Sequence, residues 1–406
     1  MQQAMDPQKN VDPALDGLKV LDVSRVLAGP YCSMILADLG ADVIKIERPP
    51  GGDDTRAWGP PYLGDPSQGL SAYYLSVNRG KRSVCLDLKT QDGRDLFLAM
   101  VQKADVLVEN FAPGVADRLG LGSEAISAAN PRIVHASITA FGEQPGPGYD
   151  LVIQGMSGLM SITGAEDGPP MKVGVAITDV IAGLQAASAI LAAVVARQRT
   201  GCGDRISVSL LGSAVASLVN VGQSYLVNGV APRRWENSHP QIVPYQVFAS
   251  ADGFLTVAAG NDKLFAKLCK VVGRADLAAD SRFGTNPQRV ANRALLIGIL
   301  EPIFAAKPTD EWLAALHAED VPCGPVSSLP KLFDQDQGSA NVDMLELVTS
   351  SGESYNTVGP AARLNGKCQE IKAAPLVGEH TEQVLRELLG LDRNRLEQLR
   401  TDGVIQ

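Results

Sequence analysis

The chemistry of this chain of 406 residues is concentrated where charge is scarcest. In the stretch Lys172 to Gly201, KVGVAITDVIAGLQAASAILAAVVARQRTG, one carboxylate, Asp179, opens a run of small and apolar residues, and the next ionisable side chain is Arg197. Between Val180 and Ala196 only Gln185 and Ser188 are polar. The alanines favour helix, and Arg197, Arg199 and Gly201 are closing signals, so the pattern predicts a buried helix with Asp179 as its N-cap. Such an aspartate ordinarily accepts a backbone N–H. The same geometry admits a second use. A helix N-terminus favours the anion, and apolar surroundings strip its water and raise its nucleophilicity, which equips it to attack an acyl carbon.

The preceding chain supplies elements to position that carboxylate. LKVLDV (Leu18 to Val23) reads as a buried strand, Pro30 to Leu39 as a helix ended by Gly40, and DVIKIE (Asp42 to Glu47) as a second strand. The connecting loop holds Ala28 and Gly29 but no G-x-G-x-x-G, which argues against a dinucleotide cradle and hence against a dehydrogenase. Arg48 directly follows the second strand, where related folds recognise a ribose or its phosphate; coenzyme A carries such a phosphate, though a surface arginine fits equally. SVCLDL (Ser83 to Leu88) reads as a strand leading to a helix over 91–102. Arg79, Lys81 and Arg82 before it form either a phosphate contact or a solvated charge run. Asn110 and Phe111 fall just past the strand in ADVLVENFAPG, where an open α/β sheet presents ligands. His135, inside the next strand, reads as a core histidine. Four strand-loop-helix passes predict a parallel, doubly wound sheet.

A glycine-rich segment from Pro145 to Gly164 delivers the chain to the Asp179 helix, and a further helix is predicted over Gly212 to Val227. YQVFASADGFLTVAAG then reads as a hairpin turned at Asp252 and Gly253. The fold expected is α/β: an open parallel Rossmann-like sheet with a smaller α+β second domain. Its parts are a polar N-terminal arm (1–16), a large domain (17–225), a small domain (226–330) and a return segment packing on the large domain (331–406).

A net charge of −9 and a pI near 5.1 argue against nucleic acid or an anionic membrane as partner. The six cysteines form no C-x-x-C pair, as suits a reducing compartment and no structural zinc. The first seventeen residues hold neither the apolar core of a secretory signal nor an arginine, so a cytoplasmic location is expected, a removed mitochondrial presequence also being compatible. Val180 to Ala196 approaches membrane-spanning length, but its many alanines, with Gln185 and Ser188, assign it to a protein core.

Five stretches in order, LDVSRVLAGPYCSMILADLGADVIKIERP, GDDTRAWGP, NRGKRSV, ADVLVENFAPG and ITDVIAGLQAASAILAA, resemble the family III CoA-transferases over nearly the whole chain. The resemblance implies that Asp179 is the covalent nucleophile. It further implies that CoA is bound by Val26, Leu27, Ala28, Arg48, Leu86, Lys89, Asn110, Phe111, Arg118 and Tyr149. It implies an interlocked homodimer and a reaction without metal or redox cofactor. Arg25 and Leu27 replace the His and Gln of formyl-CoA transferase, which argues against formate or oxalate as substrate. The racemase branch uses a His in a G-H-D motif; here Gly148, Tyr149 and Asp150 supply no base of suitable pKa, since a Tyr near 10 stays protonated at neutral pH. GDDTRAWGPP, YYLSVNRGKRS and SHPQIVPYQVF look most like the branch that uses succinyl-CoA as donor and a dicarboxylate such as glutarate as acceptor. Arg25, Arg82 and His239 are the candidates for the distal carboxylate. The competing expectations are an α-methylacyl-CoA racemase of the same fold and a non-catalytic CoA-binding protein.

Overall fold

The computed structural model describes residues 13–333, 342–364 and 370–406. The N-terminal arm up to residue 12, part of the connection after Pro330 and Cys368 lie outside them. The chain forms two compact units, one of residues 1–159, 172–230 and 342–406, the other of 160–171 and 231–341.

In the first unit β1 (Lys19–Asp22), β2 (Asp42–Glu47), β3 (Lys81–Cys85), β4 (Val106–Glu109), β5 (Val134–Thr139) and β6 (Asp204–Ser209) pair in the order β3-β2-β1-β4-β5-β6. Every pairing is parallel. The doubly wound sheet expected from sequence is therefore present, with β6 added to the five strands read from sequence. Strand order reverses between β1 and β4, so the loops leaving those two strands splay apart and leave a crevice at their carboxyl ends.

Central strands are apolar on both sides because helices cover both faces. Val20 and Val106 face one way, against α1 (Ala28–Asp38) and the Ala182, Ala186, Ile190 and Ala193 stripe of α4 (Ile177–Thr200). Leu21, Ile44 and Leu107 face the other way, against α2 (Gln91–Val101) and Val384, Leu385, Leu396 and Leu399 of the helices Thr381–Leu389 and Arg393–Thr401. Between α2 and α4 lies α3 (Asp150–Met156). The α4 helix closes as expected, with Gly201 left-handed and its N–H on the Arg197 carbonyl at 2.9 Å. It is buried along one stripe only, however, and Leu184 and Val195 stand exposed on its far side.

Three other expectations change. The helix predicted over Gly212 to Val227 is two, α5 (Leu210–Ala216) and α6 (Val219–Asn228), bent by 75°. At the break the Ser217 hydroxyl donates back to the Ala214 carbonyl, the local competition by which serine loosens a helix. β3 begins two residues before Ser83 and ends at Cys85. The return segment, expected only to pack on the large domain, carries a hairpin of its own, in which Met344–Val348 and Ser354–Val358 pair antiparallel.

The second unit carries the predicted hairpin, Tyr245–Ala249 with Phe254–Ala258, extended by Cys323–Pro325. Its core centres on Phe248 stacked on Phe304 at 4.4 Å. Fully buried Arg289 donates to the carbonyls of Val243 and Phe283 and to Asp262. Residues 160–171 belong here because the Arg234 guanidinium donates to the carbonyls of Ala165, Glu166 and Gly168.

Candidate active site

The Asp179 helix begins without a capping side chain of its own. Ala176 is the N-cap, and Asp179 is the third residue inside the helix, not the cap predicted from sequence. The cap comes from elsewhere: Asp150, first residue of α3, accepts the Thr178 N–H at 3.0 Å and the Thr178 hydroxyl at 2.8 Å. Its other oxygen accepts from Gln154 at 2.7 Å. Relieved of capping, Asp179 faces the loop between β1 and α1. One turn on, a Cβ at Gly183 would lie 2.8 Å from the Ala28 carbonyl oxygen, so a residue without a side chain lets α4 press onto the start of α1.

Burial and the negative charge of Asp150 push the Asp179 carboxyl up to about 7, against the pull of the amides of Ala28 and of Asp179 itself. The helix N-terminus therefore does not hold the anion as firmly as expected from sequence: desolvation and a like charge outweigh it. Among the described residues no cation offsets them. Asp179 and Asp150, joined by Asp53, add to burial in raising the Tyr73 hydroxyl to about 12.

Asp179 opens onto a cavity of about 370 Å³ lined by Arg25, Val26, Ala28, Asn110, Phe111 and Tyr149 among others. A second cavity of about 230 Å³ lies alongside and is lined by Arg48, Leu86 and Lys89. Arg25 and Phe111 line both. Leu27 is buried behind the loop. Arg118 is exposed on the turn between Val115 and Leu119, which line the smaller cavity while it does not.

Of the three residues offered for a distal carboxylate, Arg82 is not brought to these cavities. Arg82 sits near the amino end of β3, opposite the crevice, and is held by Asp42 and Glu387 at 2.6 Å each. His239 belongs to the second unit, where its Nδ1 accepts the Gln241 N–H at 3.0 Å and its ring lies 5.4 Å from that of Tyr245. Arg25 does line them.

The loop that faces Asp179 is tied at Ser24, Arg25 and Val26. Asn110 accepts the Arg25 N–H at 2.9 Å and donates to the Arg25 carbonyl at 2.7 Å, bridging the crevice between the β1 and β4 loops. Buried Lys45 donates to the Ser24 carbonyl and pairs with Asp53, both at 2.9 Å. Asp53 in turn accepts from the Val26 amide at 3.3 Å. These ties hold Val26 at φ +72, a conformation strained for a β-branched residue. Beneath them, Lys81 pairs with Asp22 at 2.9 Å, and Arg56 pairs with Glu47 through two hydrogen bonds of 2.8 and 2.6 Å. Arg79, Lys81 and Arg82 are thus neither phosphate contacts nor a solvated run, because each is paired with its own aspartate: Asp38, Asp22 and Asp42.

Sequence reasoning missed Asp150, Tyr73 and Asp54, all of which line the larger cavity. Trp58 lines it too and meets Tyr73 edge-on at 5.1 Å. The one signal available was the acid in G-Y-D, which stands where the racemase motif also has one.

A sequence model described as CoA-transferase family III matches residues 15–381. The chain is 42% identical to the succinyl-CoA:glutarate CoA-transferase of Mus musculus, covering 98% of this chain and 92% of that protein. It is also 42% identical to the succinate–glutarate CoA-transferase of Agrobacterium fabrum, covering 96% and 99%. Among solved structures, a CAIB/BAIF family protein from Brucella suis matches with a TM-score of 0.81 at 40% identity, over 93% of this chain and all of that one. With a parallel sheet reversing at β1 and β4, an aspartate at the start of a long apolar helix and these matches over nearly its whole length, the chain belongs to CoA-transferase family III.

Proposed function

We propose that this enzyme transfers CoA from succinyl-CoA to a dicarboxylate, glutarate first among them, through a covalent intermediate on Asp179. The observation that carries the reading is a desolvated carboxylate with no cationic partner among the described residues, opening on a cavity that shares Arg25 and Phe111 with a second one. The relatives named for succinyl-CoA and glutarate support the choice of substrates.

The smaller cavity suits the adenosine end of CoA, with Leu86 and Phe111 against the base and Arg48 and Lys89 near its phosphates. Asp179 Oδ attacks the succinyl carbonyl; the C–S bond breaks, giving a mixed anhydride and CoA thiolate. The thiolate attacks the aspartyl carbonyl and expels succinate, leaving an aspartyl-CoA thioester. The acceptor carboxylate attacks that carbonyl, and the released thiolate takes the new acyl group from the second anhydride, restoring the Asp179 carboxylate. Protons, metals and redox groups take no part, since each step exchanges a carboxylate and a thiolate at one acyl carbon. The Ala28 amide is a ready donor to charge developing there. Arg25 at the cavity junction is the partner for the distal carboxylate.

Incubation with succinyl-CoA and a panel of glutarate, hydroxymethylglutarate, itaconate, mesaconate and malate, read by chromatography of the acyl-CoA products, tests the substrates. Glutaryl-CoA with matching succinate release is expected; hydrolysis alone contradicts the reading. We also propose a homodimer, because Tyr149, Met156, Leu184, Val195, Leu226 and Val227 leave an apolar surface uncovered in the first unit. Light scattering is expected to give twice the 42.8 kDa chain mass, and the monomer mass contradicts it.

A further inference from the structure

A carboxylate shared between two arginines stands where the two cavities meet. Asp54 Oδ2 accepts from Arg25 Nη1 at 2.9 Å, and Asp54 Oδ1 accepts from Arg48 Nη2. Arg48 lines only the smaller cavity, Asp54 only the larger, and Arg25 both. The three side chains are 33% (Asp54), 41% (Arg25) and 58% (Arg48) exposed, so each is free to change partner. Their backbones are not free. Asn110 clamps that of Arg25, and the Asp53 amide beside Asp54 donates to Glu47 at 2.8 Å. One carboxylate cannot satisfy two guanidinium groups fully, so whatever draws Asp54 toward one arginine releases the other.

We propose that Asp54 couples the two anion sites with negative sign. A phosphate on Arg48 frees Asp54 to close on Arg25, which weakens the hold of Arg25 on the distal carboxylate of a diacid. By linkage the diacid loosens the phosphate to the same extent. The consequence fits the order of transfer: while CoA stays anchored, the product diacid is discharged and the next one enters. A monoacid, which has no distal carboxylate, escapes the effect. The inference rests on the reading that Arg25 receives the distal carboxylate.

The test is calorimetric titration of the intact enzyme with glutarate, alone and saturated with CoA, for the wild type and Asp54→Asn. Valerate serves as the monoacid of equal length. CoA is expected to weaken glutarate binding about two- to fivefold more in the wild type than in Asp54→Asn, the range of one exposed ion pair, with valerate unaffected by the substitution. Direct repulsion between bound anions survives the substitution, so an equal CoA effect in both proteins overturns the proposal. It is also overturned if valerate responds as glutarate does, or if glutarate binds to neither protein. Arg25→Gln separates the two layers of argument. If it leaves glutarate binding unchanged, the assignment of Arg25 itself is wrong; if it weakens binding while Asp54→Asn changes nothing, only the coupling is lost.

Discussion

Asp22 at the end of β1 and Asp179 in the first turn of α4 are both largely enclosed, yet their carboxyls shift in opposite directions. Burial alone would raise both. At Asp22, where β1 ends, Lys81 and Lys45 together with the Ser24 and Ser33 hydroxyls outweigh it and hold the carboxyl well below the usual range. At Asp179 the only help is from two amides, and Asp150 adds repulsion, so the carboxyl rises to about 7. The difference lies in what is placed against each carboxylate. The satisfied one fixes the loop, since Asp22 Oδ1 also accepts the Ser24 N–H at 3.0 Å; the other is the one proposed to attack an acyl carbon.

That contrast breaks most severely at Lys81. Lys81→Met leaves Asp22 buried with one cation fewer, and removing one partner of a buried pair costs about 3–5 kcal/mol of unfolding free energy, measurable by denaturant titration. A loss below about 1 kcal/mol means that Asp22 does not depend on Lys81. At the other carboxylate the expected effect is smaller and appears in rate. In the proposed mechanism transfer needs the Asp179 anion, so the rate is expected to fall as pH drops below about 7 and to level off above it. Asp150→Asn keeps an oxygen for the Thr178 N–H but removes the like charge, which favours the anion. The acid limb of the pH profile should then move to lower pH by up to about one unit. A limb that stays in place, or moves upward, removes Asp150 from the account.

The contrast also shows what the linear sequence discloses. Apolar runs such as LKVLDV and the alanine stripe of α4 reveal their elements because burial on a strand or helix face imposes a local period. The partners of charged residues carry no such mark. Asp150 caps a helix 28 residues away, and Lys81 finds Asp22 59 residues away, so an N-cap was assigned to Asp179 and a solvated or phosphate-binding role to Lys81. Arg82 looked available for a substrate because nothing in the sequence marks Asp42 and Glu387 as the carboxylates that hold it. Asp54 was one acid in a turn-rich loop, and only folding sets it between Arg25 and Arg48.

The central claim is that Asp179, the unsatisfied member of the pair, is the residue that is acylated. Mass spectrometry of peptides from enzyme incubated with succinyl-CoA alone and trapped with hydroxylamine tests it most directly. The account predicts a hydroxamate on the peptide containing Asp179 and none in Asp179→Ala. A trapped adduct on any other residue, or the same adduct in Asp179→Ala, contradicts it.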